Sequence, residues 1–193
     1  MLAAWGSILT ALPNVKLRWQ CKQLGDPAIA AQLVGRLQQQ GIAPARVVLL
    51  GAVSREAYLA AHSDVDVILD TFPYPGGTTT CEALWMGVPT LTLAGNTLLA
   101  RQGASLLTAA GLGEWVANSV EEYIEKAVAL TEALPRLAAL RAGLRELVRV
   151  SPLFDARRFA RHFETALWGM WGRRSSGNLP TPAQLTASKD CND

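Results

Sequence analysis

The chain has 193 residues, of which half are apolar and 18% are charged, and its formal net charge is +2. Such a chain is long enough for one domain with a sizeable core, and it is too apolar for an intrinsically disordered segment. Its mild charge argues against binding of a nucleic acid, and no stretch is long and apolar enough to predict a membrane span.

Helical and strand patterns alternate along the first half of the chain. An aspartate followed by proline is a typical helix start, and a glycine after the last helical residue is a typical helix end. In order, the predicted elements are a helix over 2–12, a strand over 15–19, a helix from Asp26-Pro27 to Gly41, a strand over 47–50, a helix from Ser54 to about His62, and a strand over 65–70.

The alternation continues in the second half. The predicted elements are a helix from about Thr79 to Gly87, a strand over 90–93, a helix over 97–110 ending at Gly111, a brief edge strand over 115–117, and helices over 119–134, 135–150 and 155–172. This order predicts an α/β fold with a Rossmann-like, doubly wound parallel sheet that helices cover on both faces. One domain is predicted over 1–172, and the polar residues 173–193 are predicted to lack fixed structure.

Two of the later helices carry apolar side chains at helical spacing. The stripe in the helix over 135–150 is predicted to be core, and it consists of Leu137, Leu140, Leu144, Leu147 and Val148. A docking surface is one interpretation of the aromatic set in the last helix, which comprises Phe159, Phe163, Trp168 and Trp171.

The cysteines and histidines do not predict a metal site. Cys21, Cys81 and Cys191 are far apart, and neither His62 nor His162 lies near a second candidate ligand. These spacings are those of neither a zinc site nor a disulfide framework. Unpaired thiols and the lack of a leader pattern predict a cytoplasmic protein.

The segment 70–85, DTFPYPGGTTTCEALW, carries the strongest functional signal. Gly76 and Gly77 let the backbone turn and approach a ligand closely. Residues 78–80 are threonines that open a helix, whose unpaired amides and positive dipole end favour an anion. Glu82, one turn along, is placed to accept ribose hydroxyls. The alternative is an ordinary capping turn with threonine as N-cap and glutamate repeating the capping-box pattern.

The longer run DTFPYPGGTTTCEALWMGVPTLTLAG resembles the C-terminal catalytic half of the protein O-linked N-acetylglucosamine transferases and of the Spindly-type protein O-fucosyltransferases. Further markers are NTLLAR at 96–101, GLG at 111–113, EEY at 121–123 and SPLF at 151–154, so the similarity runs from about Leu2 to Trp171. The resemblance implies the C-terminal, donor-binding domain of an inverting, two-domain B-type glycosyltransferase.

The resemblance also implies a site for a nucleotide-sugar donor. The diphosphate would rest on the amides and hydroxyls of residues 78–80, and Glu82 would accept the ribose hydroxyls where the animal enzymes have aspartate. The base would lie over the loop that contains Ala52, Val53 and Arg55, and Tyr58 would stack on it. The full set of predicted donor-binding residues is Ala52, Val53, Arg55, Tyr58, Tyr74, Gly76, Gly77, Thr78, Thr79, Thr80, Glu82 and Arg101.

Some of these residues have a plainer interpretation without the family. Tyr58 on an amphipathic helix is commonly a half-exposed aromatic, and Arg55 in a first turn is commonly a solvated side chain. Gly77 stands where the animal enzymes present a histidine to the sugar phosphate, so that contact is not expected here. Arg101 matches an arginine in both branches, and either a ligand contact or a cap on the neighbouring strand fits it.

The implied reaction moves N-acetylglucosamine from UDP-N-acetylglucosamine to serine or threonine hydroxyls of a protein, without a metal or further cofactor. Use of GDP-fucose as donor, and a non-catalytic nucleotide-binding domain, are the alternatives. No catalytic residue is assigned, because the family's candidate base and its diphosphate lysine are expected before Met1. The expected partners are the nucleotide sugar, a protein acceptor, the N-terminal catalytic half and a helical-repeat region. A dinucleotide-dependent oxidoreductase is disfavoured, since no G-x-G-x-x-G follows the first strand.

Overall fold

A computed structural model describes residues 1–176, which form eight α-helices and five short β-strands within that range. In chain order these are α1 (Leu2–Ala11), β1 (Leu17–Gln20), α2 (Pro27–Gln39), β2 (Val47–Leu50), α3 (Arg55–Ala60), β3 (Ile68–Leu69), α4 (Thr78–Trp85), β4 (Thr90–Leu93), α5 (Gln102–Ala109), β5 (Val116–Ala117), α6 (Val120–Ala129), α7 (Leu134–Arg149) and α8 (Ala156–Ser175). Residues 1–154 form one compact unit, and α8 belongs to a second unit that begins at Asp155.

All strand pairs are parallel, which confirms the α/β class. β1 pairs with β2 so that Leu17 lies opposite Val47, while β4 lies between β3 and β5. The predicted single sheet is therefore two hydrogen-bonded groups of strands in residues 1–176. A cavity of about 530 Å³ is lined by residues of both β1 and β3. The predicted strand over 65–70 shortens to Ile68–Leu69, because only β4 supplies it with ladder partners.

Capping side chains fix several helix starts, as the sequence patterns predict. Each of four N-cap side chains accepts a backbone N–H from the first turn of its helix, and these residues are Asp26, Ser54, Ser119 and Asp155. The predicted helix ends at Gly41, Gly87 and Gly111 all have φ between 77° and 79°, the left-handed region that glycine adopts most easily.

Two helices of the 1–154 unit differ most from the prediction. The helix predicted over 119–134 ends at Ala129, and α7, predicted from Pro135, begins at Leu134. The helix predicted over 97–110 starts as a 3₁₀ turn at Leu99–Arg101 before it becomes α-helical. Local patterns leave such breaks open, because tertiary packing decides where one helix gives way to the next.

The core of the 1–154 unit lies where α4, α5, α6 and α7 cover the strands. Its fully buried side chains include Leu84, Leu91, Leu107, Leu144 and Val148. Burial of one such side chain contributes roughly 1.5–3 kcal/mol. The predicted stripe of α7 is confirmed for Leu137, Leu144 and Val148, whereas Leu140 is half-buried and Leu147 is 40% exposed. The core prediction for Leu147 is wrong, because its position on α7 turns it toward solvent.

An arginine joins α1 to β1. The guanidinium of Arg46 donates hydrogen bonds of 2.5–2.9 Å to the carbonyl oxygens of Leu9, Leu12 and Val15. These carbonyls lie at the end of α1 and in the loop before β1, where a helix end leaves acceptors without partners. Arg46 therefore fixes the chain path into the first strand.

In the second unit, α8 exposes a row of aromatic side chains. Phe159 and Phe163 stack at 5.9 Å, and Trp168 and Trp171 are 73% and 65% exposed. The helix runs to Ser175, three residues past the predicted end of the domain, and residues 177–193 lie outside the described part. Docking by this face stays a prediction. Across residues 1–176, no helix combines the length and apolarity that a membrane crossing requires.

Candidate functional site

A buried carboxylate organises the turn between β3 and α4. Asp70, which follows β3, is 5% exposed. Its Oδ1 accepts the backbone N–H groups of Thr71 at 3.0 Å and Gly76 at 2.8 Å, and its Oδ2 accepts the Thr92 hydroxyl at 2.7 Å. Burial raises the pKa of Asp70, and these three hydrogen bonds oppose part of that rise. One side chain thus holds both ends of the turn and ties them to the neighbouring strand β4.

The backbone of the same aspartate is also fixed. The Tyr123 hydroxyl donates to the carbonyl oxygen of Asp70 at 3.0 Å, and the indole N–H of Trp5 donates to the Tyr123 oxygen at 3.3 Å. Burial raises the pKa of Tyr123, so its hydroxyl remains a donor at neutral pH. This chain of hydrogen bonds connects α1 and α6 to the end of β3.

The two glycines of the turn are crowded by the chain's own side chains. A Cβ on Gly76 would lie 2.6 Å from the hydroxyl oxygen of Thr80 and 2.7 Å from that of Thr79. A Cβ on Gly77 would lie 2.6 Å from the Nε2 of Gln102. A side chain at Gly76 would therefore displace two threonine hydroxyls, whereas one at Gly77 would displace the end of the flexible Gln102 side chain.

The start of α4 presents free backbone donors. Gly77 is the N-cap and supplies no capping side chain, while its carbonyl accepts the N–H groups of Thr80 and Cys81 at 3.1 and 3.2 Å. Among residues 1–176 the amides of Thr78 and Thr79 have no acceptor, and both residues are exposed. The N-cap of α4 is therefore Gly77, and not a threonine as in the capping-turn interpretation. Two free N–H groups at the positive end of a helix are suited to an anion.

A half-buried carboxylate lies one turn further along α4. Glu82 Oε1 accepts a hydrogen bond of 2.6 Å from the Arg55 guanidinium, and the two side chains are 13% and 66% exposed. Tyr58 belongs to the same cluster, since burial and then the charge of Glu82 raise its pKa. The side chains of Arg55, Tyr58 and Glu82 thus meet between α3 and α4.

The other predicted site residues flank these two clusters. Ala52 and Val53 are exposed in the loop after β2, and Tyr74 is 67% exposed. Arg101 is exposed, and its guanidinium donates to the carbonyl of Gly95 at 3.4 Å. That contact fits the interpretation of Arg101 as a cap beyond β4. Within the described residues, none of the four forms a side-chain hydrogen bond to another predicted site residue.

Sequence reasoning missed the residues that support the site. Asp70 had a local signal, because it is an acidic residue at the end of an apolar strand and directly before a glycine-rich turn. Thr92 and Gln102 had none, since only the folded structure brings them to Asp70 and Gly77. The described residues form no cluster of three or more metal-ligating side chains. Cys21 and Cys81 are free thiols, and burial raises the pKa of Cys81.

Comparison with known proteins gives consistent matches. The profile of glycosyl transferase family 41 matches residues 1–163. A tomato (Solanum lycopersicum) protein named "Probable UDP-N-acetylglucosamine--peptide N-acetylglucosaminyltransferase SPINDLY" is 39% identical over 182 residues, which cover 94% of this chain and 20% of that protein. The SEC protein of Arabidopsis thaliana, whose name states the same activity, is 36% identical over 91% of this chain and 18% of its own length.

A solved structure supports the same relationship. The K341M mutant of the Thermobaculum terrenum O-GlcNAc transferase superposes with a TM-score of 0.82 and is 42% identical. The match covers 88% of this chain and 33% of that one. The chain spans about a fifth of the length of the curated relatives that it matches. With a family profile that covers most of its length, this chain belongs to glycosyl transferase family 41.

Proposed function

We propose that this chain is the donor-binding part of a protein O-glycosyltransferase that moves N-acetylglucosamine from UDP-N-acetylglucosamine to serine or threonine hydroxyls. The observation that carries this proposal is the free start of α4, where two unpaired amides and the threonine hydroxyls stand one helical turn before the Glu82 carboxylate. That spacing suits a nucleoside diphosphate, whose phosphates and ribose are neighbours.

The proposed chemistry uses the α4 start as an anion site. An acceptor hydroxyl would pass its proton to a base from the N-terminal half and attack the anomeric carbon with inversion, the bond from that carbon to the diphosphate oxygen would break, and UDP would leave with the bonding electrons. The amides of Thr78 and Thr79 and the adjacent hydroxyls would stabilise the charge that develops on the diphosphate. Preorganised donors of this kind typically change a rate by about 100-fold to 1,000-fold each.

The cluster between α3 and α4 would hold the nucleoside. The Glu82 carboxylate can accept ribose hydroxyls, and Tyr58 offers a flat, half-buried face beside it. The exposed loop of Ala52 and Val53 would read the edge of the base through its backbone. These groups favour no single base, so GDP-fucose remains the second donor to be tested.

The proposal extends to the longer protein that the relatives represent. Its partners would be the nucleotide sugar, a protein acceptor and an N-terminal catalytic half preceded by helical repeats, and no metal or further cofactor would take part. The names of the plant relatives and of the bacterial structure support transfer of N-acetylglucosamine. A cytoplasmic location stays a prediction from the unpaired cysteines.

Nucleotide titration of the chain tests the donor site directly. We expect calorimetry to show binding of UDP, with weaker binding of GDP. The variant Thr78→Val/Thr79→Val removes two hydroxyls and keeps the backbone amides, and it should weaken UDP binding by about tenfold or more. Thr108→Val, on the exposed face of α5, is the matched control and should bind UDP like the wild type.

The outcomes separate the alternatives. Binding of GDP alone would overturn the choice of UDP and favour a fucosyl donor. Binding of neither nucleotide would overturn the donor site itself. If UDP binds, the chain together with a separately expressed N-terminal half should transfer sugar to a peptide, and failure with both donors would favour a non-catalytic nucleotide-binding domain.

A further inference from the structure

The strongest unexplained feature of the site is Asp70, a buried carboxylate that the proposed chemistry does not use. We propose that Asp70 is a positioning residue for the diphosphate, which places the turn over 71–77 so that the free amides of α4 meet the phosphates. This inference rests on the proposed function and deepens it, because it assigns a residue that sets the phosphate contacts without touching the ligand.

The Asp70 carboxylate closes the turn. Gly76 lies six positions after Asp70, yet a single oxygen of Asp70 accepts the backbone N–H groups of both Thr71 and Gly76, at the two ends of that segment. Gly76 directly precedes Gly77, the N-cap of α4. The position of the helix start relative to the end of β3 is therefore set by this oxygen.

The carboxylate of Asp70 is itself held in place by β4 and α5. Its other oxygen accepts the hydroxyl of Thr92 on the central strand β4. On the α5 side, a Cβ on Gly103 would lie 2.7 Å from Asp70 Oδ2 and 2.4 Å from the Thr92 hydroxyl oxygen. The backbone of α5 thus packs directly against the carboxylate, and Asp70 transmits the position of β4 to the turn.

The turn requires the acceptor oxygens of Asp70 and not its charge. A negative charge beside a bound diphosphate is repulsive, so charge alone gives the site no reason to keep an aspartate here. An asparagine could still accept both N–H groups with its amide oxygen and could donate its NH₂ to the Thr92 oxygen. We therefore expect Asp70→Asn to preserve the turn and Asp70→Ala to release it.

The test compares two ligands that differ only in the diphosphate. UDP and uridine are titrated by NMR into the wild-type chain, Asp70→Ala, Asp70→Asn and the matched control Asp66→Ala, whose side chain is exposed four residues upstream. Asp70→Ala should weaken UDP binding by about tenfold or more while uridine binding changes less than about twofold. Asp70→Asn should stay within about threefold of the wild type for both ligands, and Asp66→Ala should match the wild type.

Backbone amide exchange supplies a second measurement on the free protein. In Asp70→Ala the N–H of Gly76 should exchange faster, while that of Leu84 inside α4 should remain protected. If Asp70→Ala does not fold, Thr92→Val replaces it, because that variant removes one hydrogen bond of the carboxylate at nearly constant volume. UDP binding should then fall about threefold with uridine binding unchanged.

Each remaining result contradicts the inference. If Asp70→Ala loses affinity for UDP and uridine equally, Asp70 has a general structural role. If it loses affinity for neither ligand, other contacts hold the turn. If Asp70→Asn weakens UDP binding as much as Asp70→Ala does, the charge of Asp70 matters rather than its hydrogen-bond acceptor oxygens. If the wild type binds neither ligand, the proposed function and this inference both fall, whereas the other results leave UDP binding by the wild type intact.

Discussion

The role of Glu82 can be tested by a cycle that changes the protein and the ligand separately. The protein change is Glu82→Gln, which keeps the size of the side chain and removes its charge. The ligand change is UDP to 2′-deoxy-UDP, which removes one ribose hydroxyl. If the Glu82 carboxylate accepts a hydrogen bond from that hydroxyl, the two changes must be coupled, because one weakens the acceptor and the other removes the donor of the same hydrogen bond.

The magnitude follows from the surroundings of Glu82. Its Oε1 is already bonded to Arg55 at 2.6 Å, but the Arg55 side chain is 66% exposed, so that ion pair contributes at most about 1 kcal/mol. A hydrogen bond from a hydroxyl to the carboxylate contributes roughly 1.5–3 kcal/mol, and a neutral amide would keep about 1 kcal/mol of it. The ribose can therefore displace or share the arginine, and Glu82→Gln should weaken UDP binding by about 0.5–2 kcal/mol, or roughly 2-fold to 30-fold.

Calorimetric titration of the four protein–ligand pairs checks this expectation. The wild type should prefer UDP over 2′-deoxy-UDP by more than about tenfold, and Glu82→Gln should retain a preference of only about fivefold. Glu56→Gln makes the same charge change at an exposed position of α3 and should leave the preference of the wild type intact. An identical preference in wild type and Glu82→Gln would refute the assignment of Glu82 to the ribose.

Three further expectations concern stability. Arg46→Met should lower the free energy of unfolding by about 2–4 kcal/mol in urea titrations, because part-buried carbonyls lose a charged donor. The control Arg136→Met, at an exposed position of α7, should change the free energy of unfolding by less than about 0.5 kcal/mol. Gly103→Ala should lower the free energy of unfolding by about 1–3 kcal/mol, since the new Cβ would lie 2.7 Å from Asp70 Oδ2. Gly113→Ala should be nearly neutral in the same assay, because among the described residues its Cβ would have no neighbour within 4 Å. Folding raises the pKa of Asp70, so the contribution of this protonation to the free energy of unfolding is fully present below the unfolded pKa near 3.8 and is lost as pH rises. The wild type should therefore become less stable relative to Asp70→Asn between pH 4 and pH 7. The opposite trend would contradict the raised pKa.

Much of the fold could be predicted from local patterns. The strands over 47–50 and 90–93 have the predicted bounds, because short apolar runs between turn signals leave little choice of register. The glycine at position 87 ends α4 for a reason that its own backbone preference supplies. By contrast, the strand over 65–70 is mostly loop, since strand formation depends on ladder partners that lie far away in the sequence.

The candidate site also combines features that are local in the sequence with contacts between residues that are far apart in it. The free start of α4 could be predicted, because a glycine N-cap followed by threonines is a property of consecutive residues. The ion pair between Arg55 and Glu82 joins positions 27 apart, and the hydrogen bond between Asp70 and Thr92 joins positions 22 apart. Neither pairing leaves a trace in the spacing of the sequence, because both arise when separate helices and strands pack together.

The division of the strands into two hydrogen-bonded groups affects the cooperativity of unfolding. No backbone ladder joins β1 to β3 in residues 1–176, so side chains must couple the two groups, as the Trp5 indole does with Tyr123 and the Arg18 guanidinium does with the carbonyl of Ala61. A unit joined in this way melts in one step only while such bridges hold. In scanning calorimetry, truncation of the Trp5 side chain should make the calorimetric enthalpy of unfolding larger than the van't Hoff enthalpy, because the two strand groups would then unfold separately.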